Sequence, residues 1–272
     1  MKKVFLLWVM VVIFFGSCCK EATIPALGGG ADSERKVIIE EFTGVRCVNC
    51  PDGSAEIQNL MALHGDNLIA ISIHSGDFST PYPESKYDFR TDAGDEIAAI
   101  LGAPDFFPSA VVNQKHFSGE SSRQLSKQSW AGYIQSELAE APKFNVSMVS
   151  DFDEASRALK VKVTVVPLEN YASSLNLSVL LTESDIVDYQ LLPSPIGKKP
   201  DYHHKHVFRR VLTAEAGGVE LGSGFSKGQS VEMTFNITLP AEWNADNCNL
   251  VGFVHKNGPD FDVLQAEEIE VN

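Results

Sequence analysis

Cysteine is scarce in this chain, with five among 272 residues. That is too few to staple a fold of this length, so the core has to be built by apolar packing. Basic charge is short as well: Lys and Arg number 22 against 36 Asp and Glu, a formal net charge of -14. No basic face is left for phosphates, and nucleic acid is excluded as an expected partner. No apolar run reaches the roughly 20 residues of a membrane-crossing helix, and no strands alternate with an apolar outer face as a membrane barrel requires. The single C-x-x-C has no second pair to complete a zinc site, so neither metal nor cofactor is expected. What is present is ordinary globular composition, 44% hydrophobic and 21% charged with 20 Gly and 13 Pro, at a length that favours two domains.

The first seventeen residues read as an export signal. Lys2 and Lys3 precede twelve apolar residues, Val4 to Phe15, which are followed by Gly16, Ser17 and Cys18. The run is too short to remain as an anchor. Its end, F-G-S-C, resembles the lipobox of bacterial lipoproteins, which implies cleavage before Cys18 and acylation of its thiol. Removal of residues 1–17 takes Lys2 and Lys3 and no acid, so the charge moves from -14 to -16. Residues 18–35, with three consecutive glycines and no helical or strand period, read as a flexible tether reaching roughly 20–25 Å.

From Lys36 the pattern becomes regular. V-I-I-E-E-F is a buried strand, and T-G-V-R-C-V-N-C-P follows it directly. After Pro51, Ile57, Leu60 and Met61 fall at helical spacing and Gly65 supplies the stop. Leu68 to Ile73 is a second strand. Asp92 caps a helix carrying Ile97, Ile100 and Leu101; Ser109–Val112 and Lys115–Phe117 form a hairpin across Asn113 and Gln114. Ser122 caps a last helix with Trp130, Ile134 and Leu138 on one face, closed by Pro142. The order, with C-x-x-C directly after the first strand, resembles the thioredoxin fold. That resemblance implies a redox site of Cys47, Cys50, the acid Glu41 behind the disulfide with the aromatic Phe42 after it, and Pro108 as the cis-proline facing the cysteines.

Chemistry at this site needs a thiolate. A helix N-terminus would lower the Cys47 pKa, and Arg46 is expected to help. Pro51 has no N–H and suits the first helical turn, which places Cys47 outside that turn, and Asp52 opposes the thiolate. The loop from Ser75 to Thr91 is long for a compact domain. Its rings Phe78, Tyr82, Tyr87 and Phe89 either cover the fold's own apolar surface or line a groove for an extended peptide, which makes them the candidate ligand-binding residues.

From Lys143 alternating strands take over: F-N-V-S-M-V, A-L-K-V-K-V-T-V-V, L-N-L-S-V-L-L, V-F-R-R-V-L, V-E-M-T-F-N-I-T-L, L-V-G-F-V-H and V-L-Q-A-E-E-I-E-V. Seven strands with turns between them imply an antiparallel, immunoglobulin-like sandwich. Cys248 reads as a small buried residue. In D-Y-H-H-K-H-V-F-R-R, His204 and His206 would share a strand face; without further ligands they are expected to hydrogen-bond at a strand entry. The fold class is therefore an α/β thioredoxin-like domain over residues 36–142 followed by an all-β immunoglobulin-like sandwich over 143–272. The change of pattern at Pro142 leads one to expect two separately soluble pieces.

The combination of lipoprotein signal, E-E-F-T-G-V-R-C-V-N-C-P, F-F-P-S-A-V-V-N, Y-H-H-K-H-V-F-R and W-N-A-D-N-C-N-L-V-G-F-V resembles the Bacteroidetes outer membrane lipoproteins related to the 28-kDa outer membrane protein. The resemblance spans nearly all of the mature chain. It implies an exported, lipid-anchored protein at the outer membrane or cell surface and no defined reaction. The expected function is binding or adhesion toward a protein or peptide ligand. The alternatives are an envelope thiol-disulfide oxidoreductase using Cys47 and Cys50, and a structural or assembly lipoprotein. Mass spectrometry of the mature N-terminus is expected to find acylated Cys18; an unmodified start elsewhere contradicts the anchor.

Overall fold

The computed structural model describes residues 34–272. The export signal, Cys18 and all but the last two residues of the tether lie outside the described residues. The tether ends earlier than the sequence implies. Arg35 is buried, donating to the carbonyls of Val263 (2.8 Å) and Leu264 and lying 3.5 Å from the Glu137 carboxylate.

Strands β1 (Val37–Thr43) and β2 (Leu68–His74) are buried at every position and pair in parallel, as near-continuous β-branched runs do when both faces are covered. Between them runs α1 (Cys50–His64), with Pro51 in its first turn and Gly65 ending it at φ 56°. Helix α2 (Asp92–Leu101) is capped by Thr91, whose Oγ1 accepts from Gly94 N–H at 2.9 Å, one residue earlier than expected. Strand β3 (Ser109–Val112) lies antiparallel to β1. The expected partner Lys115–Phe117 is not a strand. Asn113 and Gln114 do turn the chain, at φ 49° and 52°, but Phe117 stacks on Tyr133 of α3 (Lys127–Leu138), and Leu125 bridges Ala110 instead. Helix α3 starts after Ser126 rather than Ser122.

The remaining strands are β4 (Phe144–Asp153), β5 (Ala158–Pro167), β6 (Leu175–Glu183), β7 (Ile186–Leu191), β8 (Lys198–His204), β9 (Val207–Val211), β10 (Val219–Gly222), β11 (Val231–Thr238), β12 (Cys248–Lys256) and β13 (Val263–Glu270). The seven strand segments read from the sequence are all present; β7, β8 and β10 are additional. Strands β11, β5 and β4 form one antiparallel sheet. Its apolar face packs on β6 and β12 through Val161, Val163, Val179, Leu181, Leu250 and their neighbours. Cys248 is buried in that core, its thiol pushed up to about 12 chiefly by burial, with the nearby Glu183 adding to it.

The larger sheet runs β13-β12-β6-β9-β2-β1-β3, with β10 beside β6. It therefore draws strands from both sides of Pro142. The seam is parallel β2 against β9, where Ser72 pairs with Val207 and donates its N–H to His206 O at 2.8 Å. Beneath α2 a single core joins Ile38, Phe42, Ile71 and Ile97 to Leu180, Phe208, Val251, Phe253 and Val263. Exposing those last five side chains would cost on the order of 10 kcal/mol of transfer free energy at about 1.5–3 kcal/mol each, comparable to the whole stability of an ordinary domain. Chain cut after Pro142 is accordingly expected to give fragments that aggregate when expressed apart. Two fragments that each unfold cooperatively in denaturant would contradict the shared core.

Candidate functional site

Helix α1 begins at Cys50 with Asn49 as its cap, so Cys47 stands outside the first turn, as Pro51 implied. A disulfide joins the two cysteines. The turn leading in is tight: a Cβ on Gly44 would fall 2.4 Å from the Phe78 carbonyl group, so only glycine lets this turn meet the 77–79 turn. Arg46 does not serve the thiols. Its guanidinium donates to the carbonyls of Thr80 and Pro81, both at 2.7 Å, and its centre lies 4.6 Å from the Tyr82 ring centroid. Asp52 is paired with Lys127 of α3.

Glu41 sits behind the disulfide, fully buried, between Ser54 Oγ (3.1 and 3.2 Å) and Ser72 Oγ (3.2 Å). Burial pushes its carboxyl from an ordinary 4.5 up to about 8, against the two hydroxyl hydrogen bonds. The Phe107–Pro108 bond is cis. Pro108 packs so closely on α1 that a Cβ on Gly53 would lie 2.7 Å from its ring and 3.1 Å from Glu41 Oε1. Cys47, Cys50, Glu41 and Pro108 thus belong to one neighbourhood.

The unforeseen element is the β7–β8 hairpin, which belongs to neither large sheet and closes over this neighbourhood. Its inward residues are Ile186, Asp188 and Gln190. Gln190 Nε2 donates to Cys47 O at 3.0 Å and Gly44 O at 3.3 Å, and Leu191 N–H donates to Val45 O at 2.8 Å. Asp188 Oδ2 accepts the N–H groups of Lys86 and Tyr87, both at 2.9 Å. Cys47 and Cys50 beside these contacts are only 3% and 1% exposed. Below the hairpin a cavity of about 20 Å³ is lined by Cys50, Ser54, Ser72, His74, Tyr202 and His204 among others, room for one water. His74 Nδ1 has no hydrogen-bond partner there, and burial holds the His74 ring well below its usual range. Burial and the neighbouring Glu41 raise the Tyr202 phenol.

The four candidate ligand rings separate. Phe89 is buried, with ring centroids 4.8 Å from His74 and 4.7 Å from His204. Tyr87 stacks on Phe89, and Tyr82 lies against Tyr189 and beneath Lys198. These three cover the fold's own surface under the hairpin. Phe78 alone stays open, 46% exposed, edge-on to Phe107. His204 and His206 do not share a strand face, because the backbone turns at His206 with φ 52° between β8 and β9. His204 Nε2 lies 3.3 Å from Tyr189 O, a hydrogen bond at the strand end.

The family model for outer membrane protein Omp28 matches residues 105–272. HBP35 of Porphyromonas gingivalis superimposes with a TM-score of 0.66 at 15% identity, covering 89% of this chain and 77% of that one. Protein AGR_C_4864 from Agrobacterium tumefaciens gives 0.52 at 16% identity, covering 89% and 97%. A domain of the outer membrane lipoprotein Omp28 from P. gingivalis gives 0.31 at 20% identity, covering 49% and 91%. At such identities the likeness to HBP35 and AGR_C_4864 is one of fold. No curated protein matches the sequence.

The buried titratable groups set opposite pH limits on stability. Glu40, on the other face of β1 with Gln114 Nε2 at 3.0 Å, is also pushed to about 8 by burial. Both carboxyls hold protons in the fold that the unfolded chain releases near 4.5, so their contribution is fully present below that pH and is lost as pH rises through about 8. His204, His206 and His255 are held near 4 by burial, so their contribution is lost as pH falls from 6.5 through about 4. Glu41→Gln is therefore expected to gain melting temperature relative to the parent protein between about pH 5.5 and about pH 8.5. A difference that stays constant over that interval would place the Glu41 carboxyl at an ordinary pKa.

Proposed function

The chain belongs to the outer membrane protein Omp28 family and resides in the outer membrane; from that premise we propose that it is a binding lipoprotein. It comprises a thioredoxin-like unit over residues 36–142 and an immunoglobulin-like sandwich over 143–272, held at the membrane by a lipid on Cys18. Among the described residues no helix is long and apolar enough to cross a membrane. The Cys47–Cys50 disulfide serves as a cross-link that fixes the surface offered to a protein or peptide ligand. One observation carries this reading: both cysteines are buried, and a hairpin from the second half of the chain is fastened to their turn with Gln190 bound to Cys47 O. A partner's sulfur has no approach to Cys47 while that hairpin is in place, and exchange requires such an approach.

A second reading, an envelope thiol-disulfide oxidoreductase, is favoured by Glu41, a carboxyl near pKa 8 placed to carry a proton beneath the bond. The potential of the full chain decides between the two. A structural bond lies below about -300 mV and a catalytic one at roughly -270 to -120 mV. We expect the lower value, no turnover of a peptide disulfide, and a Cys47→Ser variant that folds with a loss of roughly 2 kcal/mol, the chain-entropy worth of so short a loop. A potential in the catalytic range with rapid turnover would make Cys47 the nucleophile, Cys50 the resolving thiol and Glu41 the proton carrier.

A further inference from the structure

We propose that the open groove between the Ser75–Phe78 turn, α2 and the segment before Pro108 binds an extended peptide carrying Lys or Arg next to apolar side chains. This rests on the binding reading above and names its ligand class. The groove holds about 430 Å³, within the range of ordinary ligand sites. It lies outside the hairpin-covered cavity and needs no movement to be entered.

Three features define the occupant. The first is aromatic surface: Phe78 and Phe106 line the groove and remain 46% and 43% exposed, in contrast to the buried Phe89 and the half-buried Tyr82 and Tyr87 under the hairpin. The second is charge. Asp77, Asp95 and Asp105 line the same groove, and among the described residues none of the three carboxylates takes part in an ion pair or accepts a side-chain hydrogen bond. Arg90, whose charge is felt at Asp95, is itself committed to Asp88 through Nε at 2.9 Å and Nη2 at 2.7 Å. The third is Ser75, a residue of the groove wall that is only 2% exposed and whose buried hydroxyl has no hydrogen-bond partner. A buried hydroxyl left unpaired is costly, and a small shift of the wall on binding would let a ligand's amide or carbonyl satisfy it.

Rings flanked by unpaired carboxylates suit a cation, which gains attraction to both the ring face and the acids. A neutral oligosaccharide would also stack on the rings, but it would desolvate three carboxylates without neutralising them. The chain's net charge of -14 would in addition draw a basic segment toward the surface and repel an acidic one.

The test measures fluorescence anisotropy of the full chain in detergent. The probes are a labelled heptapeptide of alternating lysine and phenylalanine, its lysine-acetylated form, the glutamate analogue and a neutral hexasaccharide. Binding is expected for the lysine peptide alone. It should weaken with added salt and fall about tenfold in Asp95→Asn/Asp105→Asn, while a charge-matched control at the far β4–β5 hairpin, Asp151→Asn/Glu154→Gln, leaves it unchanged. Phe106→Ser, at an exposed position, should weaken both the lysine peptide and any residual binding of its acetylated form. Equal loss in the two double variants would reduce the effect to net charge, and binding of the acetylated, acidic or sugar probe as tightly as the lysine peptide would overturn the ligand class. If no probe binds while the disulfide proves structural, the groove assignment falls alone; turnover of a peptide disulfide would instead remove the binding reading beneath it.

Discussion

Gln190 makes the contact on which the arrangement of the site depends. Its amide nitrogen carries two N–H donors and lies 3.0, 3.3 and 3.2 Å from the carbonyls of Cys47, Gly44 and Leu191. The tight turn into α1 directs the Gly44 and Cys47 carbonyls beneath the hairpin, where each already accepts a backbone N–H, from Cys47 at 3.0 Å and Cys50 at 3.4 Å, and Gln190 supplies a second donor that ties the hairpin to the turn. Asp188, two residues earlier on the same face, does the matching work for the N–H groups of Lys86 and Tyr87. One strand thereby ties together the cysteine turn and the aromatic loop, and the disulfide becomes an interior feature.

The site is also where the two halves of the chain meet. Ser72 holds β9 through its N–H and holds the Glu41 carboxyl through its Oγ, so the seam of the sheet and the floor of the site share a residue. On the near side of Glu41, Gly53 lets Pro108 approach α1. Phe107, just before that proline, faces the open groove. Closed disulfide and open groove are thus adjacent but chemically separate. The first is sealed by polar contacts from the second half of the chain, while the second is left aromatic, acidic and accessible.

Much of this was legible in the sequence because the signals were local. The β-branched run Val37–Phe42, Pro51 at the start of α1 and the seven strand segments after Lys143 each followed from period or turn chemistry. Pro108 was reached through the resemblance to the thioredoxin fold. The β7–β8 hairpin was missed although I-V-D-Y-Q-L alternates. Its inward positions pair one apolar residue, Ile186, with the polar Asp188 and Gln190, so hydrophobic alternation does not mark its buried face. The same cause hid the roles of Tyr82, Tyr87 and Phe89, whose cover is that hairpin. Lys115–Phe117 read as a strand on local pattern, but Phe117 gained more by stacking on Tyr133. That contact lies outside the window any local pattern sees.

The central claim, that the hairpin seals the disulfide, is tested most directly by the rate at which a soluble phosphine reduces the bond in the folded full chain, followed by alkylation and mass spectrometry. The account predicts slow reduction of the parent protein under native conditions and about a tenfold faster rate in Gln190→Ala, the factor expected for losing about 1.4 kcal/mol from the contacts that hold the hairpin down. Reduction of the parent protein as fast as in denaturant, or a rate indifferent to Gln190, would contradict it.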